Sequence, residues 1–132
     1  MKRKFYEELA KWRKEKLHIP LMVVGARQVG KTYIIDQFCQ ENFDNYYYLN
    51  FMKEKEFVNL FDSIDSFEKK VEVLETLVGG SLRNNDKTVL FVDEVQQCES
   101  FIEALKFFNE SNDTFNIICA GSLLGVALKR LN

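Results

Sequence analysis

The sequence predicts an α/β fold, a parallel sheet of about four strands with helices on both faces. Short apolar runs rich in β-branched and aromatic residues, at 19–24, 44–51, 88–92 and 115–120, alternate with segments whose apolar residues recur at helical spacing. Turn residues are scarce: the 132 residues hold six glycines and one proline, where average usage gives about nine and about six or seven. Most of the chain is therefore regular structure. A hydrophobic content of 46% with 29% charged residues suits one globular domain over residues 1–132 and excludes a disordered or collagen-like chain.

Each element has its own justification. Phe5, Leu9 and Trp12 repeat at helical spacing and predict an amphipathic helix over 3–17, with Trp12 packing in the core. Residues 19–24 read as a strand buried on both faces, with Pro20 at its start, where a missing N–H is tolerated. A helix over 31–41 turns Ile34, Ile35 and Phe38 inward. The aromatic run 44–51 suits a pleated strand. Phe57 and Phe61 mark a short helix, and Phe67, Val71, Leu74 and Val78 a longer one that Gly79-Gly80 terminates. Residues 88–92 form a third strand. Phe101, Leu105 and Phe108 give another helix, 115–120 a fourth strand, and Leu124, Leu128 and Leu131 a last helix.

Several classes drop out. No apolar run approaches the roughly 18 residues of a membrane span, and the charged N-terminus lacks a signal peptide's apolar block. Cys39, Cys98 and Cys119 are an odd, widely spaced set that fits neither a disulfide framework nor a zinc site, so a reduced, cytoplasmic protein is expected. The 18 basic and 20 acidic side chains leave a net charge of −2. Residues 1–18 carry seven Lys or Arg against three Glu, a weak argument for nucleic acid. His18 is expected at the surface and Cys119 inside the fourth strand.

In a parallel sheet, ligands bind beyond the carboxyl ends of the strands, and the chemistry-bearing residues fall there. Directly after the first strand stands Gly25-Ala26-Arg27-Gln28-Val29-Gly30-Lys31-Thr32, a complete G-x-x-x-x-G-K-T. Its glycines let consecutive N–H groups converge on phosphate oxygens, and the following helix adds its N-terminal dipole. Lys31 can reach the β- and γ-phosphates, and the Thr32 hydroxyl can ligate Mg²⁺. The third strand ends in Asp93-Glu94: an acid to hold the metal, usually through its water shell, and a second to orient and deprotonate water. At the fourth strand's end Ser122 serves either as a γ-phosphate or water ligand or as the cap of the last helix.

Together GARQVGKT, YYLNF, VLFVDEVQ and IICAGSLLGVALKR resemble the N-terminal AAA-type ATPase domain of prokaryotic proteins that usually continue into a DUF4143 region, over about residues 5–130. The resemblance implies a three-layer P-loop NTPase sandwich, ATP and Mg²⁺. It implies Gly25, Gly30, Lys31 and Thr32 in the nucleotide loop, Asp93 and Glu94 as the Walker B pair, and Ser122 at the first-sensor position. Related ATPases order their strands 5-1-4-3-2, so four strands imply 1-4-3-2 with the fifth missing and a C-terminally incomplete domain. The first strand would then be an open apolar edge. A missing C-terminal region, another subunit or another protein is expected to cover it.

The leading function is Mg²⁺-dependent ATP binding and hydrolysis, weak in isolation because no arginine finger can be assigned. An arginine finger is worth about 10³ to 10⁵ in rate. The alternative is an ATP-operated binding switch with little turnover, with DNA association resting only on the basic first helix. A GTPase lacks its N-K-x-D base reader here, and a kinase its Arg-rich lid.

Overall fold

The computed structural model describes residues 2–25 and 29–122. In chain order these form α1 (Lys2–Glu15), β1 (Leu21–Gly25), α2 (Val29–Asn42), β2 (Asn45–Asn50), α3 (Lys55–Asp62), α4 (Phe67–Val78), β3 (Thr88–Asp93), a 3-10 turn (Val95–Gln97), α5 (Glu99–Glu110) and β4 (Ile117–Ser122). The strands form one parallel sheet in the order β1-β4-β3-β2, as expected. The expected last helix, at Leu124, Leu128 and Leu131, lies outside the described residues.

Alternation along the strands divides the core in two. Leu90 and Val92 of β3 face one side, where they meet Phe51, Phe61, Leu74 and Phe101 from the β2–α3 connection, α3, α4 and α5. Val89 and Phe91 face the other, against Ile35 and Phe38 of α2 and Leu9 of α1. All six residues of β3 are buried, which accounts for the unbroken apolar run VLFV between Thr88 and Asp93. Trp12 packs against the second cluster while its indole N–H donates to the Ile19 carbonyl at 2.7 Å.

Local chemistry sets the boundaries of α4. The Ser66 hydroxyl accepts from the Lys69 N–H at 3.3 Å, and Gly79 closes the helix in the left-handed conformation with φ 82°. Three expectations need revision. Only Val23 of β1 is fully buried, with Leu21, Met22 and Val24 half-buried, because β1 is an edge strand among the described residues. Strand β4 runs on to Ser122, since its pairing with β1 continues through Val24–Gly121 and Gly25–Ser122. His18 is half-buried: its φ of 56° turns the chain so that Nδ1 lies 3.1 Å from Asn116 Oδ1 at the foot of β4.

Candidate functional site

The register places the candidate residues at one end of one face. Met22, Cys119, Val92 and Leu49 lie side by side across the sheet; Asp93 is the next residue on β3, while Gly25 and Ser122 lie further along β1 and β4. Asp93 stands two residues beyond Phe91, Ser122 two beyond Ala120 and Gly25 two beyond Val23. Phe91, Ala120 and Val23 all belong to the cluster that packs on α2. Period-two alternation therefore puts Asp93, Ser122 and Gly25 on the α2 face. Helix α2, whose first residues are Val29 to Thr32, packs on that same face through Ile34, Ile35 and Phe38. Between Gly25 and Val29, the loop candidates Ala26, Arg27 and Gln28 lie outside the described residues.

At the helix start, a Cβ on Gly30 would meet no atom within 4 Å, so the backbone there borders open space. Lys31 is exposed, its ammonium 5.8 Å from the centroid of the Phe5 ring on α1, while Thr32 is half-buried. Helix α2 is held from below by Tyr46 of β2, whose hydroxyl donates to Asp36 at 2.7 Å. Burial, together with that bond, pushes the Tyr46 phenol well up.

Asp93 is only 6% exposed, and both its oxygens are engaged. Oδ1 accepts the Glu94 N–H at 2.9 Å and Oδ2 accepts the Tyr48 hydroxyl at 2.9 Å. Burial first, then the hydrogen bond to Asp93 and its charge, push the Tyr48 phenol up to about 12, so it stays a proton donor at neutral pH. Glu94 takes a left-handed backbone (φ 53°, ψ 45°), and its Oε1 accepts from Gln96 Nε2 at 2.6 Å. The sequence reading missed Tyr48 and Gln96. Alternation along YYYLN puts Tyr48 on the face opposite Leu49, but nothing local says that it meets Asp93.

A family model described as an AAA domain matches residues 18–132. The chain belongs to the AAA-domain family. This AAA domain is accordingly a nucleotide-binding module of ATPase type. It is 28% identical over 102 residues to an uncharacterised protein of Methanocaldococcus jannaschii, a match that covers 76% of the domain and 20% of that relative. The domain thus spans about one fifth of that relative's length. Among solved structures, a chain in the structure of C. elegans PCH-2 superimposes with TM-score 0.49 at 14% identity, over 89% of this domain and 35% of that chain. Among the described residues no helix is long and apolar enough to cross a membrane.

Proposed function

We propose that this AAA domain binds ATP with Mg²⁺ and hydrolyses it slowly on its own. The observation that carries the reading is the shared face: G-x-x-x-x-G-K-T leads from the end of β1 into α2, and the buried Asp93 carboxylate sits at the end of β3 on the side that α2 covers. The donor set fits a hard divalent ion. Asp93 and Thr32 offer oxygen only, and no group of three or more His, Cys, Asp or Glu side chains among the described residues is placed to hold a metal. Mg²⁺ suits such a sparse set because it keeps several waters and takes further oxygens from the nucleotide. When bound, it neutralises charge on the β- and γ-oxygens.

The chain's own groups would do the rest. Backbone N–H groups of residues 25–32 bind phosphate, helped by the α2 dipole. Lys31 leaves Phe5 to stabilise charge on the β/γ oxygens. Ser122 hydrogen-bonds the γ-phosphate or the attacking water, and Glu94 orients that water and takes its proton. Slow turnover is supported by the Gln96 amide, which already holds the Glu94 carboxylate. The same bond favours the second reading, an ATP-operated binding switch. We further place the domain in the cytoplasm. A C-terminal region, another subunit or another protein would cover the β1 edge, where Leu21, Met22 and Val24 remain half-buried.

Calorimetric titration with ATP and GTP in Mg²⁺ buffer, on wild type and Lys31→Ala, tests the reading. ATP binding that Lys31→Ala abolishes is the expected result. Equal binding by the two proteins removes it.

A further inference from the structure

We propose that Tyr48 is a positioning residue for the ion-holding carboxylate, fixing Asp93 from the neighbouring strand; this rests on the nucleotide-site reading above. The argument starts from the acceptor capacity of Asp93. An ionised carboxylate offers about four acceptor positions. Among the described residues two are taken, one on each oxygen, by the Glu94 N–H and the Tyr48 hydroxyl. By that count the described residues leave about two positions, the ones that a metal's water shell would use.

The two clamps differ in kind. The Glu94 bond is local and comes with the turn after β3. The Tyr48 bond crosses strands: Tyr48 is registered opposite Phe91 and Asn50 opposite Asp93, so the phenol reaches diagonally along one face of the sheet. The Tyr48 ring is seated on Phe91, with centroids 5.3 Å apart and planes at 60°. Its hydroxyl therefore arrives from a fixed direction. A carboxylate's terminal torsion is broad and roughly two-fold when left to itself. With Oδ1 held by one backbone N–H alone, the plane can pivot; the second bond stops it. Hydrogen bonds of this outer kind commonly govern metal affinity by about 10- to 100-fold.

Tyr48 is also placed so that the role can be separated from stability. The residue is 45% exposed, and Tyr48→Phe keeps the contact with Phe91 while removing only the hydroxyl. The quantity to measure is the ratio of ATP affinities with Mg²⁺ and with EDTA, by calorimetry, for wild type, Tyr48→Phe, Asp93→Asn and the double variant. Expected is a metal-free ATP affinity equal to wild type in Tyr48→Phe, a Mg²⁺-dependent gain reduced about 10-fold or more, and no further loss when Tyr48→Phe is added to Asp93→Asn. A Tyr48→Phe protein with the wild-type gain overturns the inference, as does an equal loss of affinity with and without metal or an additive loss in the double variant. Wild-type protein that binds no ATP overturns the nucleotide-site reading, and this inference with it.

Discussion

Truncating Phe101 tests whether the domain's stability and its candidate site reside in separable cores. Phe101 is fully buried on the sheet face away from α2, with ring centroids 5.3 Å from Phe51, 5.6 Å from Phe61 and 5.8 Å from Phe108. Phe→Ala in a core costs about 3–5 kcal/mol, and aromatic pairs of this kind add about 0.5–1.5 kcal/mol each beyond area, so the upper half of that range applies. An unfolding entropy of about 2.1 cal/mol/K per residue gives the 132-residue chain roughly 280 cal/mol/K, so a loss of about 4 kcal/mol lowers Tm by about 14 °C. Scanning calorimetry of wild type, Phe101→Leu and Phe101→Ala reads the shift, with the leucine variant intermediate. ATP affinity, measured at a temperature where all three are folded, is expected to be unchanged, because the candidate residues face α2. A Tm shift for Phe101→Ala below about 4 °C, or roughly 1 kcal/mol, would refute the packing argument. A large loss of ATP affinity in the folded variant would refute the separation.

Glu94→Gln is expected to slow single-turnover hydrolysis about 100-fold or more, the usual span for a general base, with ATP affinity retained; unchanged turnover removes Glu94 from that role. Gly79→Ala puts a Cβ on a left-handed residue with no neighbour within 4 Å, so its cost is backbone strain alone, about 1–2 kcal/mol in urea unfolding. A smaller drop would mean that α4 ends another way. Burial pushes the Cys39 thiol up from 9.0 to about 12 and also raises Cys98 and Cys119. Stability from these thiols is fully present below pH 9 and is lost as pH climbs, since only the unfolded chain ionises there. Between pH 9 and 12, Cys39→Ala should flatten the fall in unfolding free energy by about 1.4 kcal/mol per pH unit, and an unaltered slope would contradict the assignment.

Features written in local chemistry were legible in the sequence. The stripe Phe67, Val71, Leu74, Val78 and the glycine after it define α4 because helix period and C-cap geometry need no distant partner. Helix α2, which follows the glycines of G-x-x-x-x-G-K-T, was legible for the same reason. What depended on neighbours was not. Leu21 to Val24 is as apolar as a central strand, yet periodicity cannot tell a centre from an edge, and packing left it half-buried. Tyr48 reads as one aromatic among three; its bond to Asp93, 45 residues along the chain, depends on the β2–β3 register, which no local pattern reveals. Gln96 is visible in DEVQ, but its hold on Glu94 requires the left-handed turn at Glu94, where no glycine announces it.

The pairing of Leu21 with Ile118 has a bearing on how the chain is made. Strands β2 and β3 are partners, and both are available once Asp93 has been synthesised. Strand β1 emerges earlier than either, but its neighbour in the sheet is β4, which is made after both of them. Throughout that interval β1 lacks the one strand that it pairs with among the described residues. Pairings between segments so far apart pay the entropy of loop closure before they gain contacts, and they slow folding. The end of β1 is therefore expected to be anchored late: a nascent chain can form its β2–β3 ribbon before β4 arrives to pair with Leu21–Gly25.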